Sequence, residues 1–351
     1  MKKLYNIFTF VTLSVLFACN SSDNTQYKKE YVFDLTDMRE CIPNNIKCYD
    51  INLEQSDSVQ LDPNANMLID KSNIFVYVDG PIYRFNREGQ FLNRIGRIGH
   101  ASNEYTELKD ACIDSISNTI EILTHSLIKR YDYDGHFNGN AKTDIFATSF
   151  IHDKGYYWFY TGVNTFYSKY EIIRTDKNLQ KTKEFINRGY KIPCVNRSFC
   201  KGVIKSYKYY FSNDIYHIEK DEIVPAYKLI FPNLEMPESF GHGEMDEKFA
   251  EALEKENYST VEMFLENQRF LFLLIERYID RNSHYYYWII DKNNEKECVY
   301  DIGEKKELAD SYSLNPRVLD ENNVLYFLGH VNMQPDEESI HVIGMDLSKL
   351  F

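Results

Sequence analysis

The chain has 351 residues, with 53 Asp and Glu against 40 Lys and Arg, a formal net charge of −13 and 51 Tyr and Phe combined (28 and 23). A surface this acidic repels phosphate backbones, which excludes nucleic acid as a partner. The length admits two domains, and the abundance of aromatic residues points to sheet rather than helix.

Residues 1–18 read as a removable signal: Lys2 and Lys3, an apolar run from Leu4 to Phe17, then Ala18. That run has 14 residues, too few to cross a hydrocarbon layer of about 30 Å. Leu16-Phe17-Ala18-Cys19 resembles the lipobox of bacterial lipoproteins, with Phe17 bulkier than the residue usual there. The resemblance implies cleavage before Cys19, acylation of Cys19, and a membrane anchor of several acyl chains, stable where one is marginal. The bland alternative is an ordinary secretory signal with an incidental cysteine. Cleavage removes both lysines and no acid, taking the net charge to −15. Residues 19–30 then form a tether and 31–351 the folded domain. No later stretch is apolar enough to span a membrane.

Beyond Cys19, the six cysteines are Cys41, Cys48, Cys112, Cys194, Cys200 and Cys298. An exported protein can hold disulfides, and the short spacings make Cys41 with Cys48, and Cys194 with Cys200, the candidate pairs. Buried reduced thiols are the other reading. No paired Cys-x-x-Cys zinc or redox spacing occurs.

From residue 73 the chain reads as short alternating strands: Asn73–Val78, Pro81–Phe85, a turn Asn86-Arg-Glu-Gly89, and Gln90–Ile95. Gly89 suits a left-handed turn position. Similar strand-turn units follow at Asp132, Asp176, Glu219, Asp291 and Asp346, at intervals of 46, 44, 43, 72 and 55 residues. A four-stranded propeller blade takes about 40 to 50 residues. The 72-residue interval includes a segment of about 26 residues, 243–268, in which Met245, Phe249 and Leu253 form a helical stripe and Ser259-Thr-Val-Glu262 reads as a capping box. Residues 244–267 carry a net charge of −6, a solvated cover or a docking surface for a basic partner. The interval of 55 holds a polar insertion near Asn332 to Ser339. Six turns therefore predict an all-β, six-bladed propeller with a helical insertion. Its last blade lacks an outer strand unless Tyr31–Leu35 or Ile46–Ile51 closes the ring. A pair of β-sandwiches is the competing fold.

Residues 83–105, with Gly96, Arg97, Gly99, Glu104 and Tyr105, resemble a signature of six-bladed β-propeller lipoproteins of gut Bacteroidota. Ala101-Ser-Asn103 replaces the Gly-Pro-Gly of that pattern. The resemblance implies an NHL-like or TolB-like propeller that binds partners and has no established activity. It makes an outer-membrane lipoprotein the expectation, on the periplasmic face or the cell surface.

Gly96 and Gly99 follow a strand with no helix behind them, so they are read as turn glycines rather than a phosphate cradle. Arg97, His100, Glu104 and Tyr105 are the candidate ligand-facing set at a channel mouth, with Glu104 pairing Arg97 or capping the loop as the structural alternative. The run Tyr156-Tyr-Trp-Phe-Tyr160 and Trp288 suit sugar stacking, but alternation sends such rings between blades. Nine scattered histidines show no metal-binding spacing, and no G-x-S-x-G elbow is present. No cofactor, metal or catalytic residue is expected. The partners expected are the membrane, through the lipid, and an envelope protein or glycan. The functional expectation is a lipid-anchored binding propeller, with an axial glycan-processing or lactonase-like enzyme as the alternative.

Overall fold

Asn and Asp side chains set the turns that define the architecture. In the computed structural model, Asn86 Oδ1 accepts from the backbone N–H of Glu88 and Gln90, and Asp176 Oδ1 from those of Asn178 and Gln180. Asp132 Oδ1 accepts from the N–H of His136. These local bonds make a tight reversal the low-energy path. Gly89 adds the required left-handed residue at φ +87°, and any Cβ there would lie 2.1 Å from the carbonyl oxygen of Asn52. The structure describes residues 26–36, 38–41, 46–162, 168–187, 199–208, 212–237, 251, 255–304, 315–332 and 338–351.

Three strands precede the first sheet: β1 (Lys29–Val32), β2 (Arg39–Glu40) and β3 (Lys47–Asn52). Blade 1 is β4 (Asn66–Ile69), β5 (Asn73–Tyr77), β6 (Ile82–Asn86) and β7 (Phe91–Ile95). Blade 2 is β8 (Asp110–Asp114), β9 (Thr119–Leu123), β10 (Leu127–Asp132) and β11 (Phe137–Lys142). Blade 3 is β12 (Ser149–Asp153), β13 (Tyr156–Tyr160), β14 (Tyr170–Thr175) and β15 (Lys181–Asn187). Blade 4 is β16 (Phe199–Cys200), β17 (Ser206–Lys208), β18 (Asp214–Glu219) and β19 (Glu222–Ile230). Blade 5 is β20 (Tyr258–Glu266), β21 (Phe270–Ile279), β22 (Asn282–Asp291) and β23 (Lys296–Glu304). Blade 6 is β24 (Asn315–Leu319), β25 (Val324–Asn332) and β26 (Glu338–Asp346), and β3 supplies its fourth strand.

Within each blade the strands run antiparallel in sequence order, and the first strands of neighbouring blades meet around the axis, with β24 beside β4 closing the circle. Six apolar clusters fill the gaps between blades, one per gap. Middle strands such as β5 are therefore buried on both faces, whereas the outer strand β11 alternates between half-buried and exposed. This is a six-bladed propeller.

Ring closure falls to the second of the two predicted stretches. β3 pairs with β26, Asp50 opposite Ile343 and Asn52 opposite His341. The first stretch does something else. β1 lies parallel to β19 as a fifth strand on blade 4, and β2 lies parallel to β23 on blade 5. Tyr31 and Phe33 insert between blades 4 and 5 against Tyr227, Phe231 and Trp288.

Two expectations need correction. Residues 258–266 form strand β20, not a helix: Ser259-Thr-Val261 is paired with Ile275-Glu-Arg277, and the β-branched Thr260 and Val261 fit that ladder better than a helix start. The stripe residues Met245, Phe249 and Leu253 lie outside the described residues; Glu251 and Lys255 beside them are helical and form an ion pair at 3.5 Å. The rest of 243–254 lies outside the described residues. Cys41 is joined to Cys298, with Cα atoms 5.5 Å apart, and not to Cys48. Cys48 is a free exposed thiol, and Cys112 and Cys200 are free and buried. Cys194, the signal segment 1–18 and Cys19 lie outside the described residues.

Candidate functional site

The first-to-second and third-to-fourth turns of the blades lie on one side, here the hairpin face. The second-to-third turns and the blade-to-blade connections lie on the other, the crossover face. All the long connections belong to the crossover face. Blades 5 and 6 also rise above it, because β21 and β22 have ten residues each where β5 and β6 have five, and the turn at Asp291 stays tight.

The glycine-bearing loop is the connection from β7 to β8. Gly96 takes φ +68°, and a Cβ there would lie 2.4 Å from the Tyr105 ring. Tyr105 is 1 % exposed, packs edge-on to Tyr131 and donates from Oη to the Gly80 carbonyl at 3.2 Å. It is part of the core between blades 1 and 2. Glu104 Oε1 meets Arg97 Nε at 2.8 Å, and its Oε2 accepts from Ala101 N–H at 3.0 Å and sits where a Gly99 Cβ would be. Lys129 Nζ donates to Ser102 O and Tyr131 Oη to Asn103 O. Of the four predicted residues, Glu104 and Tyr105 are engaged within the loop and core, and Arg97 and His100 face solvent.

The axis is crossed by protein. Lys201 follows the inner strand of blade 4, and its ammonium pairs with Asp110 Oδ2 and donates to Ala111 O at 2.9 Å, both on the inner strand of blade 2. Asp110 also accepts from Ser149 Oγ at 2.7 Å and from Tyr77 Oη at 3.3 Å, so blades 1 to 4 converge on it. Burial is the largest single influence on Lys201 and works against its charge, but Asp110, with Cys112 and Tyr77 beside it, together raise the ammonium above its ordinary pKa. The same turn, 201–205, tucks under blades 5 and 6: a Cβ on Gly202 would sit 3.0 Å from Glu266 O and 3.6 Å from Leu319 O. The turn therefore lies beside the hairpin-side ends of β20 and β24. On the crossover face, a depression of about 310 Å³ between blade 1 and the connection from blade 6 is lined by Leu61, Asp62, Val78, Pro81 and Tyr83, and also by Tyr77.

Further polar clusters bridge blades, none of them visible from spacing. Glu266 is fully buried and receives Ser206 Oγ (2.8 Å), Tyr227 Oη (2.7 Å), Lys292 Nζ (2.6 Å) and His217 Nε2 (3.1 Å). Burial opposes its charge, yet the His217 hydrogen bond and the Lys292 ammonium bring its pKa to about 2. Glu121 plays the same part between blades 2 and 3, with Arg130, Tyr157 and His152. At the closing seam, Ser339 Oγ lies 2.8 Å from His341 Nε2, and His341 Nδ1 lies 2.7 Å from Asp50 Oδ1 on β3. Alternation offers the only advance signal here, since Ser339 and His341 share a face of one strand. Among the described residues no three His, Cys, Asp or Glu side chains converge as metal ligands. Trp158 and Trp288 are fully buried.

Comparison with known proteins places this geometry among relatives. A protein of Bacteroides fragilis described as exported shares 16 % identity, covers 90 % of this chain and 99 % of its own, and superposes with a TM-score of 0.68. A Bacteroides caccae protein of unknown function (11 % identity, 70 % and 85 % coverage, TM-score 0.44) and BamB of Moraxella catarrhalis (9 %, 85 % and 99 %, 0.41) overlap too loosely to argue from. No curated protein sequence matches the chain significantly. The model of the domain of unknown function DUF4934 matches residues 47–338, from the closing strand β3 to the start of β26. The chain therefore belongs to the DUF4934 family.

Proposed function

We propose that this chain is an outer-membrane lipoprotein, acylated at Cys19, whose propeller is a non-enzymatic binding module for an envelope protein or glycan. The carrying observation is the occupied axis. Lys201 bridges blades 4 and 2 across the axis, which favours a partner that meets the outer surface of the propeller over one held in an axial well. The long connections and the two raised blades make the crossover face the surface with shape to recognise. Export is supported by the described relative, and the lipid by the residues Leu16 to Cys19.

Metabolic labelling with an alkyne palmitate tests the anchor: the label and membrane fractionation are lost in Cys19→Ser. Photo-crosslinking in intact cells tests the binding role. Probes at the exposed Val78 and Ile98 of the crossover face give one shared adduct. Failure of every crossover-face position to crosslink removes the binding reading. The paired change Arg97→Ala with Glu104→Ala weakens that adduct if the loop contributes contacts.

A second reading, hydrolysis, rests on Ser339, His341 and Asp50, whose order matches a nucleophile relay. A fluorophosphonate probe that labels the chain but not Ser339→Ala supports it; no labelling dismisses it.

A further inference from the structure

The N-terminal strap has a direction. β19 rises from the third-to-fourth turn of blade 4 on the hairpin face to Ile230 on the crossover face, and β1 runs parallel to it, Lys29 opposite Tyr227 and Val32 opposite Ile230. Followed backwards, the chain descends. Lys28 N–H bonds Ala226 O, and Lys28 Nζ pairs with Glu219 at the hairpin turn itself. The described chain therefore enters β1 from the hairpin side, at the rim of blade 4.

We infer that the hairpin face is the surface this protein lays against a lipid bilayer, with the crossover face turned away. This rests on the acylation of Cys19 proposed above. Residues 20–27 span about 28 Å at most when fully extended, and the described chain that they join begins on the hairpin side. Placing the crossover face on the bilayer would force the tether back up the height of the blade, about 20 Å, leaving little slack. The hairpin face also offers apolar contacts at two tips. Ile116, in the first-to-second turn of blade 2, is 95 % exposed, and Val203, in the first-to-second turn of blade 4, is 45 % exposed. Asp114 holds the backbone N–H groups of Ile116 and Ser117, so the blade 2 tip is fixed with its isoleucine outward. Headgroup-level insertion of such a residue fits an interfacial contact. The raised blades and the connections then project outward, where a partner can reach them.

The test uses the acylated full chain with Cys48 and Cys194 changed to Ser and one environment-sensitive thiol dye, at Ile116→Cys or at Ile98→Cys on the crossover face. Both are reconstituted in vesicles of phosphatidylethanolamine and phosphatidylglycerol containing a doxyl-labelled lipid. The expected result is loss of emission and a blue shift at position 116 and neither at 98. Equal signals, or quenching at 98 alone, on vesicles that carry the protein overturn the orientation. Flotation of the same samples separates this from the anchor: if the acylated chain floats no better than Cys19→Ser, the lipid reading is what has failed, and the orientation fails with it.

Discussion

Lys201 of blade 4 and Asp110 of blade 2 meet across the propeller axis, although a whole blade lies between their strands. Both side chains are mostly buried, 19 % and 10 % exposed. Removing one partner of such a pair strands the other charge. Asp110→Asn is expected to cost about 3 kcal/mol, measured by urea denaturation. Asp110→Asn with Lys201→Met should recover part of that loss, and a double-mutant cycle with no coupling would contradict the pairing.

Cys298→Ser should lower stability by about 3 kcal/mol, the usual size for a disulfide closing a long loop. Cys41→Ser should match it and Cys48→Ser should leave stability unchanged, because Cys41 bonds Cys298 while Cys48 is free. Mass spectrometry of the unreduced peptides checks the connectivity directly.

Stability should fall in acid through Glu266. Its folded pKa of about 2 lies below the ordinary glutamate value of 4.5, so the contribution is fully present above about pH 4.5 and is lost as pH drops towards 2. The linked change is on the order of 3 kcal/mol. Denaturation midpoints measured from pH 7 to pH 2 should flatten across this window in Glu266→Gln, against a lower overall stability from the altered cluster.

In the crossover loop, Gly96→Ala should destabilise by about 2 kcal/mol, because a left-handed alanine is strained and its Cβ strikes Tyr105. Arg97→Ala should change stability by less than about 1 kcal/mol, since its side chain is 71 % exposed. Thermal melts of the two variants distinguish a loop built around Tyr105 from one built around the ion pair.

The blade count is legible because a local cause repeats. Each Asn or Asp that opens a third-to-fourth turn bonds the backbone two to four residues on, so the signal survives in a short window. Ring closure was legible for a negative reason, since β26 ends the chain's last blade one strand short. The parallel strands β1 and β2 and the Cys41–Cys298 bond, 257 residues apart, left no local trace, and proximity in sequence favoured Cys48 instead. Ser259 to Glu262 misled because a capping box is a four-residue pattern, whereas the strand there is imposed by β21. At the candidate site the pairing of Glu104 with Arg97 was readable from the loop alone. The Lys201–Asp110 contact was not, because it depends on which inner strands face each other across the ring.

Because β3 waits for β26, an early-made segment is completed by one of the last to be made. A chain emerging amino end first from synthesis exposes the bare edges of β1, β2 and β3 until blades 4, 5 and 6 follow. Such distant pairing slows folding, and a nascent molecule cut short before residue 338 keeps an open gap where its seam should be. The finished molecule hides that gap.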